Sequence, residues 1–223
     1  MKTLKLKYVV LIIAAIIVVD QALKIWVKTS YPIGDTNVSG LPWFRLHFIE
    51  NSGMAWGWKF GNESGKMILT LFRLAAVIFG TWYLGRIVKQ KYSRGFIVCA
   101  ALIYAGALGN LIDSMFYGMI FDKGFHYDAA IGEYVSYSGV AHFSSHGYAS
   151  FLHGSVVDML YFPIIKGKNY EFFSAIFNIS DASISVGVIA LLLFQKRFFR
   201  KHKDETPPTI ETSSEVSDKV EVS

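Results

Sequence analysis

The chain has 223 residues, 52% of them hydrophobic, 16% aromatic and only 17% charged, with a mean hydropathy of +0.36; this excludes an ordinary soluble domain and leaves an integral membrane protein. The net charge of +5 does not point to nucleic acid, because the basic residues flank apolar runs instead of forming one stripe. The single cysteine, Cys99, has no partner in the chain, so cysteine usage says nothing about redox compartment.

The first apolar run, about Tyr8 to Val27, follows Lys2, Lys5 and Lys7. It is long enough to cross a hydrocarbon core of about 30 Å at about 1.5 Å per residue. Asp20, Gln21 and Lys24 interrupt it and no small-residue cleavage site follows, so a retained transmembrane helix is expected, not a removed leader. From Lys28 to Lys66, Pro32, Gly34, Gly40, Pro42, Gly53, Gly57 and Gly61 break any helical period, and the segment reads as extra-bilayer. Within it Phe44, Leu46 and Phe48 alternate with Arg45 and His47 as in a half-buried strand. Trp43, Trp56 and Trp58 suit a membrane interface.

Further apolar runs follow at about 67–88, 96–120 and 176–194. A short basic loop with Arg86, Lys89, Lys91 and Arg94 separates the second from the third, and Lys196, Arg197, Arg200, Lys201 and Lys203 end the fourth. Placing these clusters and the N-terminus on the cytoplasmic side satisfies the positive-inside rule. Segments 28–66 and 121–175 are then extracytoplasmic. Asp204–Ser223 is acidic, contains Pro, Ser and Thr, and is expected to be a disordered cytoplasmic tail. The expected fold is all-α: one membrane domain over 1–203, with four transmembrane helices and a small extracytoplasmic β/loop subdomain.

Counting along the helices places Asp20 about 18 Å and Asp113 about 26 Å from the cytoplasmic ends of their runs. Both lie in the outer half. Asp181 begins the fourth run, Asp158 lies just before it, and neither has a basic neighbour in sequence. Carboxylates at a membrane boundary are costly and mark chemistry; two together share a proton, one becoming an acid and the other a base. The bland alternative is that each caps a helix end. Gly106, Asn110 and Asp113 share one helical face, as do Asn178, Asp181 and Ser185, and both faces are expected to point into the bundle. Asp20 and Lys24, at i and i+4, are placed for a structural ion pair.

Five blocks carry a resemblance to a known family: VVDQALK (18–24), ENSGMAWG (50–57), GALGNLID (106–113), GSVVDML (154–160) and FNISDASI (177–184). In this order, and with four spanning helices, the chain resembles the bacterial lipoprotein signal peptidases, also called signal peptidase II. The resemblance implies an aspartic endopeptidase of the bacterial inner membrane, with both termini cytoplasmic and the active site near the outer leaflet. It implies cleavage of diacylglyceryl-modified prolipoproteins on the amino side of the modified cysteine. Carried over by motif, Asp158 and Asp181 form the catalytic dyad, and Asp20, Lys24, Asn51, Gly53, Asn110, Asp113 and Asn178 shape the site. It implies no cofactor and no metal; the partners are the substrate and membrane lipid, without nucleic acid, around a monomer. Two departures stand out: Ser114 follows Asp113 where the family usually has Arg, so any charge pairing by that Arg is absent or supplied from elsewhere, and the 122–152 segment is longer than expected.

Other readings stay open at this stage. His142 and His146 have the i, i+4 spacing of a metal pair if their segment is helical, which Gly139, Ser144, Ser145 and Gly147 oppose. A proton relay through Asp20, Asp113 and Asp181 would make the chain a transporter or channel, but the inner halves of the helices are mostly apolar, with Thr81 an exception. A lipid-binding scaffold would explain the aromatic residues and basic ends but not the paired carboxylates.

Overall fold

Among the described residues of this computed structural model, four helices are long and apolar enough to cross a membrane, spanning Leu6–Ser30, Ser64–Lys89, Arg94–Ile120 and Ile179–Phe198. The described residues are 4–34, 36–41, 43–52, 63–163, 165–166, 171–172 and 175–198; Gly53, Trp56, Trp58 and the stretch Asp204–Ser223 lie outside them. The helices are α1 (Leu6–Ser30), α2 (Glu63–Lys89), α3 (Arg94–Ile112), a short α4 (Gly118–Ile120) and α5 (Ile179–Phe198), with a π-helical turn, Asp113–Tyr117, joining α3 to α4.

Burial separates their roles. Half of the apolar window of the third span is buried, against 17% for each of the other three, so α3 is the hub against which α1, α2 and α5 pack. The outer helices turn Leu11, Phe72, Ile78 and Leu193 outward at 63% to 72% exposure, the surface expected of helices solvated by lipid. Close approach of α3 and α5 depends on small residues: a Cβ at Gly106 would strike the Ser180 carbonyl, and one at Gly109 would strike the Ser180 hydroxyl and come within 2.9 Å of Asp20.

The segments between helices form strands at one end of the bundle: β1 (Thr36–Leu41), β2 (Phe44–Asn51), β3 (His126–Asp128), β4 (Glu133–Val135), β5 (Val156–Tyr161), β6 (Ile165–Lys166), β7 (Glu171–Phe172) and β8 (Ile176–Phe177). A four-stranded antiparallel sheet runs β1-β2-β5-β8, with Ile49 opposite Asp158 and Leu160 opposite Phe177. The alternating 44–48 stretch is thus the start of β2. Ile176 and Phe177 belong to β8, so the last helix begins at Ile179, later than the apolar run suggests. The sheet claims these two residues, and the helix starts only where Asn178 can cap it.

Two apolar cores flank a polar layer. Val9, Leu84, Ile87, Phe96, Ile97 and Ala101 fill the end with the α2–α3 connection. Val27, Phe48, Tyr117, Phe121, Val157 and Met159 fill the sheet end. The long 122–152 segment packs onto the latter through its backbone: the N–H groups of Ser144, Tyr148, Ala149, Leu152 and Gly154 donate to the carbonyls of Ile120, Phe121, Gly118, Met115 and Ser114 in turn. A second anchor is the buried ion pair of Lys28 and Glu50. Glu50 also accepts from Tyr137 Oη at 2.7 Å and from the Phe125 N–H at 2.8 Å. Lys28 lies 5.0 to 5.3 Å from the ring centres of Phe121, Tyr137 and Tyr148, within cation–π range.

This anchor yields a stability prediction. Tyr137→Phe removes one hydrogen bond to a charged group and should cost about 1.5–3 kcal/mol. Glu50→Gln leaves the buried Lys28 ammonium without its countercharge and should cost more, about 3–5 kcal/mol. Thermal unfolding of the purified variants should rank them in that order below the parent; an unchanged Glu50→Gln protein would show that the pair does not hold the segment.

Candidate active site

Helix α1 brings Asp20, Gln21 and Lys24 to the polar layer, one turn apart on the face packed against α3. Lys24 Nζ lies 2.9 Å from Asp20 Oδ2, 2.8 Å from Asp113 Oδ2 and 2.9 Å from Asn110 Oδ1. An ammonium has three N–H bonds and no acceptor, so all three are committed. The ion pair expected within α1 is present, and Asp113 extends it to α3. Asp20 Oδ1 accepts from the backbone N–H of Ser180 at 2.9 Å, at the start of α5. Asp113 Oδ1 accepts from Gln21 Nε2 at 2.8 Å, and Gln21 Oε1 accepts from Tyr117 Oη at 3.0 Å. Every charge here is buried, and each is met by partners from another element, as low dielectric demands.

Asp158 and Asp181 meet through two amides. Asn178 precedes α5 as its N-cap: its Oδ1 accepts from the Asp181 N–H at 2.8 Å, while Asp181 Oδ2 accepts from the Asn178 N–H at 3.4 Å. This is the reciprocal pattern of a capping box, so Asp181 does cap a helix. It does more than that. Its Oδ1 accepts from Asn110 Nδ2 at 2.7 Å, and Asn178 Nδ2 reaches Asp158 Oδ1 at 2.6 Å and Asn110 Oδ1 at 3.1 Å. Obligate donors fix both amides: Lys24 can only donate to Asn110 Oδ1, and the Asp181 N–H only to Asn178 Oδ1. The NH2 groups therefore face the carboxylates.

Asp158 is only 3% exposed. Burial, and after it the charge of Asp181, push its carboxyl up to about 8, against the opposing pull of Lys24 and the Asn178 amide. The half-buried Asp181 accepts two N–H bonds, from Asn110 Nδ2 and from the Asn178 backbone. Two carboxyl groups bridged by Asn178 form an arrangement that can pass protons in both directions across a reacting carbonyl.

The fold thus brings Asp20, Lys24, Asn110, Asp113, Asp158, Asn178 and Asp181 into one network. Asn51 ends β2 opposite Val156, on the strand that carries Asp158. Gly53 lies outside the described residues. Ser185 is exposed, contrary to expectation, because α5 turns Ser180, Ser183 and Gly187 toward the bundle, and Ser183 donates to the Leu102 carbonyl at 2.8 Å. His142 and His146 lie in an irregular stretch, so the helical metal pair is not formed. Among the described residues, no group of three His, Cys, Asp or Glu side chains is placed to hold a metal.

Three participants escaped the sequence reading: Gln21, Tyr117 and Arg73. Gln21 stands inside the first polar block, and Tyr117 is the fully buried tyrosine of the π-helical turn. Arg73 is a charge inside the second apolar run, a signal in its own right. Its Nη1 donates to Ser114 Oγ at 3.1 Å, so a guanidinium does reach the residue after Asp113, supplied by α2.

A family described as signal peptidase (SPase) II matches residues 12–197. The lipoprotein signal peptidase of Porphyromonas gingivalis is 40% identical over 203 residues, covering 86% of this chain and 84% of that protein. That of Chlorobaculum parvum is 31% identical over 189 residues, covering 82% and 91%. Among solved structures, a bacterial membrane enzyme determined by the in meso method at 2.3 Å resolution has a TM-score of 0.56 at 25% identity, covering 92% of this chain and 98% of its own. A family match over residues 12–197, together with this level of identity, means that the chain belongs to the signal peptidase II family and is a membrane-spanning protease.

Proposed function

We propose that this protein is an aspartic endopeptidase of the bacterial inner membrane that removes the signal peptide of diacylglyceryl-modified prolipoproteins, cutting on the amino side of the modified cysteine. The observation that carries the reading is the Asn178 bridge, which holds an acid, Asp158, beside a second carboxyl group, Asp181. Asp181 takes a proton from a water molecule as it attacks the scissile carbonyl, while Asp158 donates its proton toward the carbonyl oxygen; the roles then reverse as the amine leaves. Asp20, Lys24, Asn51, Gly53, Asn110, Asp113 and Asn178 shape the site around this pair. The two carboxyl groups supply both proton-transfer roles without a cofactor.

The basic residues set the orientation. Lys5 and Lys7, the Arg86–Arg94 loop, and Lys196 with Arg197 all fall at the end of the bundle away from the sheet, so both termini are cytoplasmic and the dyad lies near the outer leaflet. On the sheet side, Trp43, Phe44, Phe162 and Phe177 pack in sequence at centroid distances of 5.1 to 6.3 Å, an aromatic patch suited to the interface. A groove of about 480 Å³ between α2, α3 and α5 begins at Ala76 and Ala107, one turn inward from Arg73 and Asn110. Its lining, including Phe79, Ile103 and Leu191, offers acyl chains an apolar surface.

Asp158→Asn and Asp181→Asn should each lower kcat/KM by roughly 100- to 10,000-fold while leaving membrane insertion unchanged, since each removes a proton-transfer partner and keeps its size. Turnover of a lipid-modified precursor peptide by the purified variants is the measurement, and parent-like rates in either would reject the dyad.

The parent enzyme should lose activity as pH rises through about 8, because the acid is then ionised. This alkaline limb belongs to the coupled pair. A rate that keeps climbing well beyond that pH would contradict a protonated Asp158.

An unlipidated precursor of the same sequence should be a poor substrate. Shortening the acyl chains should lower kcat/KM stepwise, by up to about fourfold per methylene if each contributes about 0.8 kcal/mol of partitioning. Lipidated and unlipidated precursors compared in one detergent provide the test; equal rates would show that lipid is not read.

A further inference from the structure

Arg73 is the only charged residue between Lys66 and Arg86, and it stands about 15 Å along α2 from the sheet end. A guanidinium has five N–H bonds and no acceptor, and at this depth an N–H without a partner is costly. One is met. Arg73 Nη1 donates to Ser114 Oγ at 3.1 Å, and that hydroxyl is held in turn by the Asn110 carbonyl at 3.0 Å. Among the described residues Arg73 makes no other hydrogen bond and no ion pair. The carboxylates of the polar layer are held by other donors: Asp113 by Lys24 and Gln21, Asp158 by Asn178, and Asp181 by Asn110. Ser180 Oγ is the one sealed side-chain polar atom without a partner among the described residues, so the uncommitted nitrogens of the half-buried Arg73 open onto accessible space.

Helices α2 and α3 place those N–H groups at a border. Ala76, three residues beyond Arg73, and Ala107, three residues before Asn110, begin the apolar groove of about 480 Å³, which continues past Ile103 to Leu84 and Phe96 at the far end. Asn110, whose carbonyl holds Ser114, also carries the amide that faces Asp181. The groove thus lies on one side of the Arg73–Ser114 contact and the Asn110–Asp181 contact on the other. In a substrate with its acyl chains in the groove and its scissile bond at the dyad, the part that crosses this border is the glyceryl unit with its two ester groups. An ester carbonyl accepts hydrogen bonds and donates none. A guanidinium fork does the reverse, and its planar donors can meet two acceptors at once.

We propose that Arg73, seated on Ser114, is a substrate-binding residue that donates hydrogen bonds to the ester carbonyls of the diacylglyceryl group. This rests on the reading of the substrate as a diacylglyceryl-modified prolipoprotein. The protein then reads the glyceryl linkage as well as the apolar chains attached to it. The esters do not change during cleavage of the peptide bond, so these bonds are equally strong in the bound substrate and in the transition state. Their loss raises KM and leaves kcat largely unchanged.

The test uses two precursor peptides of one sequence and one chain length, the first carrying a diacylglyceryl group and the second its dialkyl ether counterpart, which lacks the carbonyl oxygens. Both are assayed with the purified full-length protein in one detergent. The parent should prefer the diester by roughly 10- to 100-fold in kcat/KM, the range for hydrogen bonds to a charged group, with the difference in KM. Arg73→Gln should bring the ratio of the two close to one. Arg73→Lys keeps the charge without the fork and should keep only part of the preference. Equal rates on both peptides in the parent would overturn the proposal and spare the peptidase reading, as would an undiminished preference in a folded Arg73→Gln. If Arg73→Gln fails to fold, Ser114→Ala, which removes the seat and no charge, decides: the preference should shrink, and an unchanged ratio overturns the proposal. A parent that cleaves neither lipid-modified peptide would instead remove the function on which it rests.

Discussion

Lys24 gives each of its three N–H bonds to a different oxygen, and most of the polar layer can be traced from that ammonium. Through Asp20 it reaches the first turn of α5, because Asp20 also accepts the Ser180 N–H. Through Asp113 it reaches β5, whose Val157 N–H donates to the same carboxylate at 3.3 Å. Through Asn110 it fixes the amide that faces Asp181. In a lipid-surrounded bundle there is little driving force to press apolar helices together, and satisfied buried polar groups give the assembly its register. Loss of this one charge would leave two buried carboxylates without the ammonium they share and the Asn110 carbonyl oxygen with only the Asn178 amide as a donor.

The same economy explains why the site is asymmetric. Two aspartates in like surroundings would have no reason to divide labour. Here Asp158 sits on a strand, buried against the Asn178 amide, and burial drives it toward its neutral form. Asp181 sits half-buried at the start of a helix, as part of its cap. Placing one carboxyl group on a sheet and the other at a helix end gives them unlike surroundings, which is what the proposed division between acid and base requires.

Much of this was legible in the sequence, and the exceptions share a cause. Hydropathy located four helices because each needs a run long enough to span, and the short basic loop identified α2 and α3 as neighbours. The polar blocks pointed to residues that the fold brings into one network, because carboxylates and amides inside apolar runs are rare. Arg73 was passed over because a single charge barely lowers the hydropathy of a long window, and its partner Ser114 lies in another helix. The start of α5 was placed early because Ile176 and Phe177 are as apolar as the helix that follows, and only pairing with β5 makes them a strand. Ser185 shares the spacing of Asn178 and Asp181, but the close contact of Gly106 and Gly109 with Ser180 rotates it away from the bundle.

The 122–152 segment reaches the end of α3 and α4 largely through main-chain N–H groups meeting main-chain carbonyls. Such bonds are indifferent to the side chains carried by most of the residues that make them. The segment can therefore change widely in composition, apart from anchors such as Tyr137 and Tyr148, and still leave Asp158 at the same point beside Asn178. Its length is free as well wherever residues fall between two anchors, as in the turn between β3 and β4, because the register of β5 is set by its pairing with β2 and β8 and not by the path that leads to it.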